Sequence, residues 1–338
     1  MNNPFKGKYG PLLIAEIGGN HEGNFEYAMK LVDLAISTNV DFVKFQLYTG
    51  DTLVSRIESP VRNSHFKKFQ LTKEQHIAIA EKIIKAGIGY MASVWDEEMM
   101  LWIDKYMPIY KIGSGDLTAY SVLKTIAKKG KPIILSTGLS TENEVLEAVK
   151  YIQSIDKKYL KPENLALLQC TSMYPINHSD ANLNVMSKLK ELTGLTIGYS
   201  DHTIGWKTLA YSVAMGAEIL EFHFTDSREG KEFRDHKVSL IPEEVIELEN
   251  EIQFIQSIKG NETKKPLQIE EENGHVQSFR RAVYPKFDLK AGTVLSEENL
   301  ICLRPNSGID ARDFEKLIGK TTTIDLLAHQ KLDWKNIK

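Results

Sequence analysis

The chain has 338 residues, of which 42% are hydrophobic and 26% charged, and its formal net charge is −3. This length predicts one large domain with a smaller one, and the near-neutral charge argues against nucleic acid or a membrane surface as the main partner. No apolar run approaches the roughly 20 residues that span a bilayer, and the first residues do not resemble a secretory signal. The chain has two cysteines, which are too few for a disulfide framework and favour a reducing cytoplasm.

Eight short apolar runs predict β-strands, and they alternate with longer segments of helical character. The runs lie at 12–16, 40–46, 88–93, 109–113, 132–136, 165–170, 195–199 and 218–223. Continuous apolar character is typical of parallel strands that are buried on both faces. Eight strand–helix units in series predict an α/β fold with a closed (β/α)8 TIM barrel, and a doubly wound open sheet is the alternative.

The segments between the strands carry the residues that begin and end helices. Thr72 with Gln75 and Thr141 with Glu144 predict capping boxes, and Gly87 suits the end of the first of these two helices. The link at 47–71 is unusually long and rich in Arg, Ser, Asn and Lys. Two interpretations fit it, a lid over an anionic substrate and a solvated surface loop.

Composition changes after Gly260, where a polar, charged stretch begins. We therefore predict a barrel domain at 1–258, a linker at 259–277 and a small C-terminal domain at 278–338. About 60 residues bury little core alone. We expect this tail to dock on another surface, either its own barrel or a partner subunit.

Polar side chains gather at the ends of all eight predicted strands, where the active sites of such barrels lie. The set comprises Glu16, Lys44, Gln46, Ser93, Lys111, Ser114, Ser136, Thr171 to Tyr174, Ser200, His202, Glu221 and His223. Buried lysines are costly unless paired. Lys44 and Lys111 therefore predict either ion pairs with Glu16 or Glu221, or two cations that converge with the serines on a phosphate or carboxylate.

Two histidines end neighbouring strands, and with nearby carboxylates they could hold a divalent cation. An ordinary hydrogen-bonded role for His202 and His223 is the alternative. Asp201 stands beside His202 and could orient it, and Asp235 follows the last strand, where it could bind a polyol or move a proton. Cys170 is predicted to be a core thiol. These residues indicate an enzyme acting on anionic small molecules and leave its reaction open.

Seven barrel segments and three tail segments together resemble the sialic acid synthase family, which makes nonulosonic acids and ends in a small antifreeze-like SAF domain. The barrel segments are AEIGGNHEG (15–23), KFQLY (44–48), KIGSGD (111–116), STG (136–138), CTSMYP (170–175), GYSDHTIG (198–205) and HFT (223–225). The tail segments are AGTVLSEENL (291–300), RPNSGI (304–309) and LIGK (317–320). Each is weak alone, but the ordered set covers nearly the whole chain and is specific.

The resemblance implies a cytoplasmic transferase that joins C3 of phosphoenolpyruvate to the aldehyde carbon of an N-acylated hexosamine, while water attacks C2 and phosphate leaves by C–O cleavage. It implies Mn²⁺, with Mg²⁺ or Co²⁺ as other choices, on His202 and His223, with Glu16, Lys44 and Asp235 as catalytic residues. The positions that match phosphoenolpyruvate binding are Lys44, Lys111, Ser114, Ser136 and Ser200, with Ser93 and Ser172 as weaker matches. The positions that match sugar binding are Gln46, Asp116, Tyr174, Asp235 and, from the partner subunit of a domain-swapped homodimer, Arg304.

Several positions depart from the family pattern, and they concern the sugar. Ser93-Val94-Trp95 stands where Thr-Pro-Phe is frequent, Asp116 where many members have Glu, and Phe222 where a lysine is common. The loop from Asp226 to Asp235 has an unfamiliar composition. The sugar therefore stays open between N-acetylmannosamine and a diacetamido-trideoxyhexose, the precursors of neuraminic, legionaminic and pseudaminic types.

Two other functions compete with this one. A related phosphoenolpyruvate-dependent synthase would use a phosphorylated sugar and would want an additional basic pocket, and the C-terminal tail is taken as evidence against it. A non-catalytic carbohydrate-binding protein on a degenerate barrel would not need Glu16, Lys44, His202 and His223 together.

Overall fold

The structure is a computed structural model that describes residues 3–338, so Met1 and Asn2, on which the prediction about a secretory signal partly rests, lie outside it. The chain divides into two compact units, Met1–Gly260 and Asn261–Lys338. Across residues 3–338, every helix is too short or too polar to cross a membrane.

Eight parallel strands of the described chain form a closed barrel. They are β2 Gly10–Glu16, β3 Phe42–Leu47, β4 Gly89–Val94, β5 Tyr110–Ile112, β6 Ile133–Ser136, β7 Leu165–Gln169, β8 Thr196–Asp201 and β9 Ile219–His223, preceded by β1 Lys6–Gly7, which pairs antiparallel with β2. Each strand pairs with the next, and β9 pairs with β2. This last pairing confirms the closed barrel, and the open-sheet alternative is wrong.

Helices connect the strands of the barrel, and two of them begin at the residues that the sequence predicts. They are α1 Phe25–Ser37, α2 Gly50–Leu53, α3 Pro60–Phe69, α4 Lys73–Lys85, α5 Glu97–Ile103, α6 Tyr120–Ala127, α7 Glu142–Ile155, α8 Asn184–Thr193, α9 Lys207–Ala214 and α10 Pro242–Lys259. Both predicted capping boxes, at Thr72 and Thr141, are present. Gly87 follows α4 with φ of 81°, a conformation that costs glycine little.

The sequence suggests a loop at 47–71, but the structure shows that this link contains the helices α2 and α3. Thr49 caps α2 in a box with Thr52. The Asn63 side chain donates hydrogen bonds to the carbonyls of Gly50, at 2.8 Å, and Val54, at 2.7 Å. The bond to Val54 satisfies a carbonyl that the end of α2 leaves without a helical partner, and the two bonds together fasten α3 to α2.

The inside of the barrel is filled by alternate residues of the strands, and this alternation positions the polar residues. A buried apolar cluster contains Ile14, Phe42, Met91, Ile109, Ile134, Leu168 and Ile219. Because side chains alternate across a strand, the residue two positions later points into the same interior, nearer the carboxyl end. Those residues are Glu16, Lys44, Ser93, Lys111, Ser136, Cys170 and Glu221.

The second unit has its own small core. Its elements are α11 Gln268–Glu272, α12 His275–Ser278, β10 Ala282–Pro285, β11 Leu300–Leu303 and α13 Phe314–Leu317, with β10 and β11 antiparallel. Val283, Leu295 and Leu317 are among the buried residues that pack together. The predicted linker at 259–277 includes α11, and the chain turns at Ala291-Gly292, with φ of 85° at the glycine.

Candidate active site

A buried carboxylate and a buried ammonium group pair at the barrel mouth. Lys44 Nζ lies 2.5 Å from Glu16 Oε2, and Gln46 Nε2 donates to Glu16 Oε1 at 2.8 Å. The backbone turns close to this pair, because a Cβ at Gly18 would lie 3.0 Å from Glu16 Oε1 and 3.1 Å from Gln46 Nε2. Three predicted site residues from two adjacent strands thus form one hydrogen-bonded group.

Glu221 lies between the two predicted lysines. Its carboxylate is 3.4 Å from Lys44 Nζ and 3.3 Å from Lys111 Nζ. Lys111 Nζ also donates to Ser136 Oγ at 2.7 Å. The structure therefore contains the predicted ion pairs of both lysines. Both ammonium groups also lie at one barrel mouth, as the anion-binding interpretation requires.

Opposite charges hold Lys44 and Glu221 ionised. Burial lowers the pKa of the Lys44 ammonium, but the charges of Glu16 and Glu221 outweigh it and raise that pKa above its usual value. Burial likewise raises the pKa of Glu221, and Lys111 with Lys44 reverses this and holds it below the usual range. The cluster therefore presents a protonated Lys44 beside an ionised Glu221 carboxylate.

Hydroxyl and thiol groups form a small cradle beside Lys111. Ser114 Oγ accepts a hydrogen bond from the Gly138 amide at 3.0 Å and lies 3.1 Å from Cys170 Sγ. A Cβ at Gly138 would collide with Ser172 Oγ, Cys170 Sγ and Ser114 Oγ. Cys170 is buried, as predicted, but it faces this cradle rather than a purely apolar core.

The two predicted metal-ligand histidines lie together, with ring centroids 5.5 Å apart. His202 Nδ1 lies 2.6 Å from the Thr171 carbonyl oxygen. Because a carbonyl only accepts, Nδ1 must carry the proton, which leaves the lone pair of a neutral ring on Nε2. Burial, helped by the charge of His223, lowers the pKa of His202 to about 3, so the ring is neutral at physiological pH.

These features fit a divalent cation. Neutral imidazoles with a hydrogen-bonded second nitrogen are the usual form of histidine ligands, and His223 Nδ1 is buried without a hydrogen-bond partner within residues 3–338. The same residues contain no ready cluster of three or more His, Cys, Asp or Glu side chains for a metal. Two histidines alone would leave most coordination positions to water or substrate.

The predicted role of Asp201 in orienting His202 is wrong. Asp201 accepts hydrogen bonds from Tyr199 Oη at 2.9 Å and from Thr203 Oγ1 at 2.9 Å. The Thr171 carbonyl holds His202 instead. Successive residues at the end of a strand point in opposite directions, so Asp201 faces the outer layer while His202 faces the mouth.

The sugar side of the predicted site contains Tyr174, Asp235 and a residue that the sequence did not single out. The Tyr174 ring lies 4.0 Å from that of His202. Asp235 is buried, with Oδ2 3.9 Å from His223 Nδ1. The guanidinium of Arg234 lies 4.8 Å above Tyr174, and its side chain is 66% exposed. Only the unfamiliar composition of its loop marked this position in the sequence.

The remaining predicted residues lie as follows. Ser93 is buried and pairs in register with Lys111, and Ser200 is buried and bonds to Glu221. Asp116 accepts a hydrogen bond from the indole of Trp95. In the second unit, the guanidinium of Arg304 lies 5.2 Å from the Phe279 ring.

Comparison with known families finds two matches along the chain. A model of the NeuB family matches residues 31–264, and a model of the SAF domain matches residues 280–338. The first covers most of the barrel unit, and the second covers most of the smaller unit.

Named relatives and a solved structure agree with these matches. The N,N'-diacetyllegionaminic acid synthase of Campylobacter jejuni is 34% identical, over 92% of this chain and 96% of its own. The human N-acetylneuraminate-9-phosphate synthase is 30% identical, over 94% and 90%. A crystal structure of an N-acetylneuraminic acid synthetase from Leptospira borgpetersenii superposes with a TM-score of 0.71 at 31% identity, covering 78% of this chain and 90% of that one.

Proposed function

Because the chain belongs to the NeuB family, we propose that it is a nonulosonic acid synthase. It is a transferase that condenses phosphoenolpyruvate with an N-acylated hexosamine and water, giving a nine-carbon acid and phosphate. The observation that carries this proposal is the group of Lys44, Lys111, Glu16 and Glu221 at one barrel mouth. It combines buried cations for an anionic substrate with carboxylates for proton transfer.

Phosphoenolpyruvate binds, in this proposal, between the two lysines and the cradle at Gly138. Lys111, Ser136 and Ser114 already converge there, and a backbone amide with hydroxyl donors and ammonium groups suits phosphate or carboxylate oxygens. Glycine at position 138 allows Ser114, Cys170 and Ser172 to approach the backbone closely, since a Cβ there would collide with all three. Ser93, Ser172 and Ser200 border the same region as further donors.

The reaction needs one new C–C bond and one broken C–O bond. The C2=C3 electrons of phosphoenolpyruvate form the bond to the aldehyde carbon, whose oxygen takes up a proton. Water then adds at C2 and gives up one proton, which balances the proton taken up by the aldehyde oxygen. The tetrahedral centre loses the second proton as it expels phosphate and forms the keto group. Glu16, hydrogen-bonded to Lys44 and Gln46, is placed to accept the water proton, and Lys44 shares that proton network.

His202 and His223 would hold a divalent cation, with Mn²⁺ as our choice. When bound, such an ion supplies Lewis-acid polarisation of the aldehyde oxygen. The Thr171 carbonyl fixes the ring of His202 for this role. Asp235, close to His223, then remains available to accept a hydroxyl proton of the sugar.

The sugar is an N-acylated hexosamine that lies over Tyr174 and Asp235, near Gln46. A phosphorylated sugar is the second candidate, favoured by the exposed Arg234 guanidinium above Tyr174. The tail does not argue against it, because the human 9-phosphate synthase aligns over 94% of this chain. A homodimer in which Arg304 reaches the partner's mouth, and a cytoplasmic location, remain part of the proposal.

The experiment is phosphate release with Mn²⁺, phosphoenolpyruvate and one of three sugars: N-acetylmannosamine, its 6-phosphate, or a diacetamido-trideoxyhexose. Release with an unphosphorylated sugar is expected. Release with the 6-phosphate alone would select the second candidate, and no release with any sugar would refute the enzyme and leave a carbohydrate-binding barrel.

The metal assignment is tested separately by metal content. His202→Ala should lose bound Mn²⁺ after dialysis, as measured by mass spectrometry of the metal. The control is His178→Ala, which changes an exposed histidine that contacts Thr208 and is not assigned to the metal; this variant should keep its Mn²⁺. Stoichiometric Mn²⁺ in the His202 variant would contradict the assignment.

A further inference from the structure

Two residues that depart from the family pattern are bonded to each other in the structure. Trp95 directly follows β4, and Asp116 ends a short turn after β5, the next strand of the barrel. The indole Nε1–H of Trp95 donates a hydrogen bond to Asp116 Oδ2. Neither departure predicted the other from the sequence, where they are 21 residues apart.

We infer that Trp95 is a positioning residue that fixes the Asp116 carboxylate toward the sugar and thereby contributes to sugar selectivity. This inference rests on the proposed function for the identity of the substrate. The bond itself does not depend on that function. Trp95 acts through Asp116 and need not touch the sugar.

An aromatic layer holds the indole in place. The ring of Tyr48 lies 5.6 Å from that of Trp95, and Phe66 of α3 packs edge-on against Tyr48 at 5.1 Å. Such offset and edge-to-face contacts restrict ring orientation. The indole N–H is therefore aimed at Asp116 by packing against Tyr48, which Phe66 of α3 supports in turn.

The bond matters because Asp116 is partly buried. Burial raises the pKa of its carboxyl, whereas the Trp95 N–H and the charge of Lys111 oppose that rise. The donor thus favours the ionised form. With Oδ2 held by the indole, Oδ1 is directed to accept from a hydroxyl or amide N–H of the sugar, the groups that an ionised carboxylate can recognise.

The two departures also complement each other in size and chemistry. Phenylalanine at position 95 has no donor, so it could not hold a carboxylate. Aspartate is one methylene shorter than glutamate and leaves room for the larger indole. We therefore expect Asp116→Glu to push the carboxylate against Trp95, so that neither residue tolerates the family-type replacement alone.

The kinetic test uses Trp95→Phe, which removes the donor and keeps an aromatic ring. The KM for the sugar should rise about tenfold or more, as expected for a lost hydrogen bond to a charged group, while the KM for phosphoenolpyruvate stays within about twofold. The matched control is Trp206→Phe, whose indole donates to the exposed Glu247 at 2.6 Å and should change neither KM. An equal rise in both KM values in Trp95→Phe would overturn the inference.

A double-mutant cycle separates positioning from packing. If Trp95 acts through Asp116, Trp95→Phe should have little further effect in an Asp116→Asn background. The same fold-change in both backgrounds would mean that the indole acts only as a wall, and the inference would fail.

A readout that needs no turnover keeps this inference distinct from the proposed function. The ¹⁵N-indole resonance of Trp95, assigned by its loss in Trp95→Phe, should move in Asp116→Asn and on titration of the unreacted sugar, whereas that of Trp206 should not. An inactive wild type refutes the synthase. If the Trp95 resonance moves neither in Asp116→Asn nor on addition of any of the sugars, the positioning role is refuted.

Discussion

Removal of the Glu221 charge should destabilise the barrel substantially. Glu221 is 5% exposed and lies 3.4 and 3.3 Å from two buried ammonium groups. At an effective dielectric constant of about 20, one such pair is worth about 5 kcal/mol before desolvation is considered. Breaking a buried pair costs about 3–5 kcal/mol net. In Glu221→Gln we therefore expect the melting temperature of the barrel unit to fall by about 6–15 °C in calorimetry.

A matched control and an anion decide whether that loss reflects charge. Glu191→Gln removes the exposed partner of Lys188 and should shift the melting temperature by less than about 2 °C, because exposed pairs contribute little. Phosphate should stabilise Glu221→Gln more than the wild type, because the variant lacks the carboxylate that neutralises part of the charge of Lys44 and Lys111. The reasoning would be refuted if Glu221→Gln had the melting temperature of the wild type, or if phosphate raised the melting temperature of both proteins equally.

Two further predictions concern space at the mouth and a buried carboxylate on α10. Gly138→Ala should raise the KM for phosphoenolpyruvate at least tenfold, because its Cβ would collide with Ser114, Cys170 and Ser172 and displace these side chains. Gly115→Ala, whose Cβ meets nothing within 4 Å, is the control, and an unchanged KM in Gly138→Ala would contradict the cradle. Burial raises the pKa of Glu249 from 4.5 to about 7, so the folded protein binds more protons and the stability contribution of this group is lost as pH rises from about 4.5 through 7. Glu249→Gln should therefore melt at a higher temperature than the wild type at pH 8.5, by the equivalent of roughly 1–3 kcal/mol. At pH 4 the two proteins should melt at the same temperature. A higher melting temperature of the variant at both pH values would refute the titration argument.

The sequence predicts the strands and the residues on them well, for a physical reason. A strand buried on both faces must be apolar, so an interrupting lysine or glutamate stands out. Alternation then fixes which polar residues share the interior. Lys44, Lys111 and Glu221 were recognised in this way, and the structure brings them together. Their mutual pairing could not be resolved from the sequence, because it depends on which strands are neighbours around a closed barrel.

Residues outside the strands were predicted less well, because packing between distant segments sets their direction. Asp201 is next to His202 in the chain, yet the hydrogen-bond partner of His202 is the Thr171 carbonyl from the preceding strand end. The helices in the 47–71 link depend on the side chain of Asn63, which bonds back across 13 residues to Gly50. Neither bond has a local pattern that a sequence could reveal.

This difference explains why the two substrates are not equally well defined. The proposed phosphoenolpyruvate residues are strand-borne or directly follow strands, so the register of the barrel fixes them. Gln46 lies on β3, but the other proposed sugar residues of the barrel, Asp116, Tyr174 and Asp235, lie beyond the strand ends and contact Trp95, His202 and Arg234. A barrel can therefore keep its anion site while changes in these supporting residues alter the sugar. Selectivity in this chain should accordingly respond to Trp95 and Arg234, which lie beside the predicted sugar residues, before it responds to any change on a strand.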